Sequence, residues 1–173
     1  MSTSTATVPD VLNAILGVND DDPIVAIRNR KPSLVTELQD YYLALFEPTA
    51  DSAAALSLST RLLVAVRVAS HTGSEAVASW YRAVGREAGV PDAEFDRVAD
   101  VYAPADGNNA VSAAIRHTDL LTLRPADATP ADLQALKDAG YAPAGIVSLS
   151  QTIAFVNYQL RLAAALRALG GAR

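Results

Sequence analysis

The amino-acid sequence predicts an all-α protein. The chain is rich in Ala and Leu and poor in aromatics, which make up 6% of it; this composition favours helix over sheet. No segment shows the strict apolar–polar alternation of a half-buried strand. Helix-start residues (Pro, Ser, Thr, Asp) and helix-stop glycines recur at helical intervals along its length.

The elements follow in order. Pro9 opens a short helix over Asp10–Leu16, and the acidic turn Asn19-Asp20-Asp21-Asp22-Pro23 opens a second across Ile24–Arg28. A third runs from Ser33 to Phe46, with Leu34, Leu38, Tyr41, Tyr42 and Leu45 on one face, and Pro48 ends it. Ser57 or Ser59 caps a helix over Arg61–Ser70. Thr72 and Glu75 read as a capping box for the next helix, which Gly89 closes. Pro91 and Asp92 begin a short helix to Val101, and after the loop Ala103–Asn108 another spans Asn109–Leu123. Thr129-Pro130-Ala131-Asp132 is a strong start, with Thr as cap, Pro in the first turn and an acid at the third position. Gly140 ends that helix, and Pro143 opens a last long one through Leu169, stopped by Gly170-Gly171. The joint Ala88-Gly89-Val90-Pro91 is echoed by Ala139-Gly140-Tyr141-Ala142-Pro143, each a Gly stop, an apolar anchor and a new start.

At 173 residues the chain holds one core. No flexible linker divides it, so residues 1–50 are expected to form a helical arm packed on a helical domain of residues 51–173. A net charge of −5 with no basic cluster argues against nucleic acid and against an anionic membrane surface. The apolar runs are broken well short of a membrane span, and MSTSTATVPD has no charged-then-apolar leader pattern, so a cytoplasmic protein is expected. There is no cysteine, which excludes disulfides, thiolate metal sites and thiol redox chemistry carried by this chain. With two histidines, nothing in the spacing favours a metal centre, and no cofactor is expected.

The stretch LSLSTRLLVAVRVASHTGSEAVASWYRAVGREAG, Leu56–Gly89, carries a resemblance. It is similar to the core of the alkylhydroperoxidase AhpD / carboxymuconolactone decarboxylase family, which implies an AhpD-like helical bundle. In that family Thr-Gly is usually followed by a Cys-x-x-Cys pair, with a His four residues later and a Glu in the preceding helix; the matching positions here are Ser74, Val77, Tyr81 and Leu62. The C-terminal helix resembles the peroxidase-related branch, whose Asn-x-x-Asn-Arg run is matched by Asn157 and Arg161 but not by Leu160. The resemblance covers roughly residues 35–169 and implies a homo-oligomer.

The candidate site residues are therefore Ser74, His71, Glu75 and Tyr81. A thiol at a helix N-terminus is acidified by the helix field, whereas the Ser74 hydroxyl is not acidic enough to replace it and acts as a nucleophile only beside a base. The simpler reading of Ser74 is a helix-capping or first-turn serine. His71, Glu75 and Tyr81 could form an acid–base set, or His71 could bond the last carbonyls of its helix. Trp80 and Tyr81 either fill the core or line a ligand pocket. His117, beside Arg116 and Asp119, is expected on an exposed helix surface. Two functions follow. One is a catalytically degenerate family member without thiol peroxidase activity, acting as a binding or partner subunit, with a cysteine-bearing relative as a possible partner. The other is a non-thiol acid–base enzyme, decarboxylase-like or hydrolytic.

Overall fold

A computed structural model describes residues 10–171, so the helix start expected at Pro9 lies outside the described residues. Among the described residues there are ten α-helices and no strand. The first three are α1 (Val11–Leu16), α2 (Pro23–Arg28) and α3 (Pro32–Phe46), and all three pack against the last helix, α10 (Pro143–Gly171). Asp10 and Asp22 cap α1 and α2 through their side chains. Of the five residues expected on one face of α3, Leu38, Tyr42 and Leu45 are buried. Leu34 and Tyr41 are not, with Leu34 left 55% exposed, because α3 touches the bundle over a narrower stripe than its sequence offers.

A helix absent from the sequence reading follows: α4 (Ala50–Ala55), six residues capped by the Thr49 hydroxyl. It carries no buried residue and no amphipathic stripe that would announce it. Its C-terminus is held from outside, by the fully buried Arg61. That guanidinium donates through Nε to the Leu56 carbonyl at 3.0 Å, and through Nη2 to the Ser52 carbonyl at 2.9 Å and Oγ at 3.0 Å. Burial lowers the pKa of Arg61 from its usual value, and the helix-end carbonyls it caps supply the compensating negative dipoles.

The centre of the bundle is α5 (Leu58–His71), capped by Ser57; Thr60 through Ala69 are buried without interruption. A helix apolar on every side must be surrounded, and α5 is enclosed by α6 (Glu75–Glu87), α7 (Asp92–Ala99), α8 (Ala110–Leu123) and α10. Two close approaches lock neighbours together. A Cβ on Gly85 of α6 would lie 2.2 Å from Phe95 Cζ of α7, and one on Gly145 of α10 would lie 2.5 Å from the Ala55 carbonyl oxygen of α4. A 3-10 turn (Pro125–Asp127) and α9 (Pro130–Asp138) complete the fold. At the start of α9, as expected, Asp132 Oδ2 accepts from the Thr129 amide at 2.8 Å and from its hydroxyl at 2.7 Å.

The α5–α6 joint corrects the sequence reading. Thr72 is not the cap of α6; its hydroxyl turns back to donate to the Ala69 carbonyl at 2.9 Å, closing α5. Gly73 sits at φ +66°, with its amide on the Ser70 carbonyl and the Ser74 amide on the Ala69 carbonyl. These are the two bonds of a Schellman stop. Thr72 and Glu75 therefore do not form a capping box: the Gly73 turn spends the Thr hydroxyl on the preceding helix, and Ser74 becomes the N-cap. The repeated joints at Gly89 and Gly140 close by the same pair of bonds. Among the described residues no single helix is long and apolar enough to cross a membrane.

Candidate functional site

The four candidate residues fall into different surroundings. Ser74, the N-cap of α6, makes no side-chain cap bond and lines two clefts. The larger, about 500 Å³, runs along Thr72, Gly73 and Ser74 to Arg161 and Arg167 of α10. The smaller, about 200 Å³, joins Ser74 and Glu75 to Arg82 and Ala99. Glu75 is exposed in the first turn of α6, where the helix field favours its charge. The structure thus brings Ser74 and Glu75 together, with no imidazole lining either cleft.

His71 points elsewhere. It is the last residue of α5, 8% exposed, and its Nε2 lies 2.6 Å from Asp119 Oδ1 on α8. The same carboxylate receives a bidentate pair from Arg67, Nε to Oδ1 at 2.6 Å and Nη2 to Oδ2 at 2.7 Å. Arg67 Nη1 also donates to the carbonyls of Val98 at 3.1 Å and Asp100 at 2.7 Å, tying the end of α7 to α5. Arg67 is 3% exposed and Asp119 26% exposed, so this is a partly buried Arg–carboxylate–His cluster. A histidine oriented by a carboxylate is a positioned proton-transfer group. The spacing of Arg67 and His71, one helical turn apart, is visible in the sequence; Asp119, 48 residues away, is not.

Tyr81 is in the core. It is fully buried, its ring 4.8 Å from that of Phe46, and its hydroxyl donates to Gln159 Oε1 on α10. Burial first, and then the neighbouring Tyr42, raise its pKa well above the usual tyrosine value, so it stays a neutral hydrogen-bond donor. Leu62 and Val77 are also fully buried. Gln159, the partner that fixes Tyr81, gave no signal in the sequence. Of the two matched residues on α10, Asn157 is buried and donates to the Ile153 carbonyl at 3.0 Å and to Thr122 Oγ1 at 3.3 Å, while Arg161 is exposed and lines the larger Ser74 cleft.

His117 overturns an expectation. It is not a surface residue but 5% exposed, because α9 folds across α8 and covers it. Neither ring nitrogen has a hydrogen-bond partner among the described residues. Burial lowers its pKa against a smaller opposing pull from Asp132, so the ring is neutral at pH 7. Beside it a cavity of about 350 Å³ opens between α8 and α9. Among the described residues no cluster of three or more His, Asp or Glu side chains is arranged to hold a metal ion.

Residues 36–119 match the family model described as Carboxymuconolactone decarboxylase family, a span running from within α3 to within α8. No curated protein matches the chain.

Proposed function

Because residues 36–119 match the carboxymuconolactone decarboxylase family model, and because the chain holds no cysteine, we propose that it is a catalytically degenerate member of that family that serves as a binding or partner subunit. One observation carries the reading: Leu62, Val77 and Tyr81, at the positions where the family resemblance implies reactive groups, are all fully buried side chains of the core. Packing there has taken the place of chemistry, and a neutral phenol bonded to Gln159 has no free face to present to a substrate. An unpartnered apolar cleft of about 210 Å³ between α3 and α10, lined by Ile27, Leu34, Tyr158 and Leu162, supports a subunit role.

The test is incubation of the purified protein with an organic hydroperoxide and a dithiol reductant. Peroxide consumption at the no-protein rate is expected, and turnover above that control sinks the proposal. Co-purification from the native host tests the narrower form, in which the partner is a cysteine-bearing relative; recovery of the chain without such a relative rejects that form.

The second reading, a non-thiol acid–base enzyme, is favoured by the His71–Asp119 pair at 2.6 Å. His71 would transfer the proton, while Ser74 and Glu75 line clefts that His71 does not border. If His71→Ala and Glu75→Ala left a detected activity unchanged, this assignment would fail.

A further inference from the structure

We propose that the cavity between α8 and α9 binds a small organic carboxylate. A neutral imidazole with both nitrogens buried and unbonded is costly, at about 1–3 kcal/mol for each group left unpaired. His117 is in that state, and it forms part of the wall of a cavity of about 350 Å³. That volume falls in the range that small-molecule sites occupy, roughly 300–1,000 Å³. A ligand in the cavity would offer the ring nitrogens of His117 the partner that the protein does not.

The remaining walls specify the class. Ala113, Leu120, Ala135 and Leu136 offer an apolar floor, which suits a hydrocarbon body. The charged rim favours an anion. Arg124 is 72% exposed and forms a loose ion pair with Asp127 at 3.9 Å, beyond hydrogen-bond reach, so its N–H donors remain available. Arg116 spends Nη1 on the carbonyls of Ala105 and Gly107, leaving Nε and Nη2 for a ligand. Of the two acids at the rim, Asp119 is already paired with Arg67, and Asp132 receives both the amide and hydroxyl of Thr129. Two guanidiniums with unspent N–H donors thus line the cavity, and Arg recognises carboxylates through paired N–H donors. None of these lining residues borders the clefts at Ser74, so the outcome here and that of the peroxide assay are read separately.

The test uses the full chain labelled with ¹⁵N-histidine, whose two ring spectra are assigned with His117→Gln. Benzoate is titrated alongside benzamide, which keeps the body without the charge, and inorganic phosphate, which keeps charge without the body. A saturable shift of the His117 ring nitrogens by benzoate alone is expected. Arg124→Gln should weaken that binding by at least about tenfold, the effect of removing one charge-assisted hydrogen bond. Absence of a saturable benzoate shift overturns the proposal. So does an equal response to benzamide or phosphate, or unchanged affinity in the Arg124 variant.

Discussion

Replacing Arg67 with Met removes a charge from the point where three helices meet. The methionine keeps most of the stem's apolar contact, so the loss is concentrated in the guanidinium. Four hydrogen bonds vanish: two to Asp119 and one each to the Val98 and Asp100 carbonyls. Breaking a buried ion pair from one side costs about 3–5 kcal/mol, because the surviving charge is stranded. Here Asp119 is 26% exposed and retains His71, so water relieves part of the penalty and the lower figure applies, about 3 kcal/mol. Asp119→Asn alone strands the buried guanidinium with two carbonyls and should cost about 2 kcal/mol or more. In the double variant neither charge is stranded, so the combined loss should fall short of the sum by about 1.5 kcal/mol. Urea unfolding followed by the fluorescence of Trp80, the one tryptophan, measures all three variants. A loss below about 1 kcal/mol for Arg67→Met, or simple additivity, would refute the view that this cluster fastens α5, α7 and α8.

Three further outcomes are expected. Tyr81→Phe should destabilise by about 1–3 kcal/mol in thermal or urea unfolding, since Gln159 then loses its buried donor; a neutral result would show that the Tyr81 hydroxyl is not needed to satisfy it. Gly145→Ala should lose about 2 kcal/mol despite alanine's better helix propensity, because the new methyl meets the backbone oxygen of Ala55 at 2.5 Å and cannot swing away; unchanged stability would show that α4 yields without cost. The buried His117 ring resists protonation, so below the unfolded-state pKa of about 6.5 the unfolded chain binds a proton that the folded chain refuses. Its contribution therefore favours folding above that pH and is lost as the pH falls toward the lowered folded value. His117→Gln should show a shallower acid-side decline than the parent in urea unfolding between about pH 5 and 7, and identical slopes would contradict the burial.

The helices were legible because their punctuation is local. Asp22-Pro23 and Thr129-Pro130 start helices where the sequence says they do, since capping needs only the chain itself. The misread joint at Thr72 shows the limit of that locality. The same hydroxyl can serve the helix before it or the one after, and the left-handed turn at Gly73 decides between them. Tertiary facts were harder to see. His117 has the charged sequence neighbours of a surface residue, and only α9 folding across α8 buries it. Likewise, no periodicity links His71 to Asp119 or Tyr81 to Gln159, whose separations of 48 and 78 residues are closed by packing alone.

The last helix also bears on the order of events during synthesis. About 43 Å long at 1.5 Å per residue, α10 touches α1, α2, α3, α4, α5, α8 and α9, yet it follows all of them along the chain. Helices made earlier on the ribosome have no partner for these faces until Pro143 and the residues beyond it emerge. The parts of α1–α3 that α10 covers must wait through roughly a hundred residues of elongation, and loop-closure entropy slows such distant docking. Completion of α10 therefore gates the closing of the faces it covers, while α5 can pair with α6, α7 and α8 before it, and a nascent chain halted earlier should be held by chaperones or cleared by proteolysis.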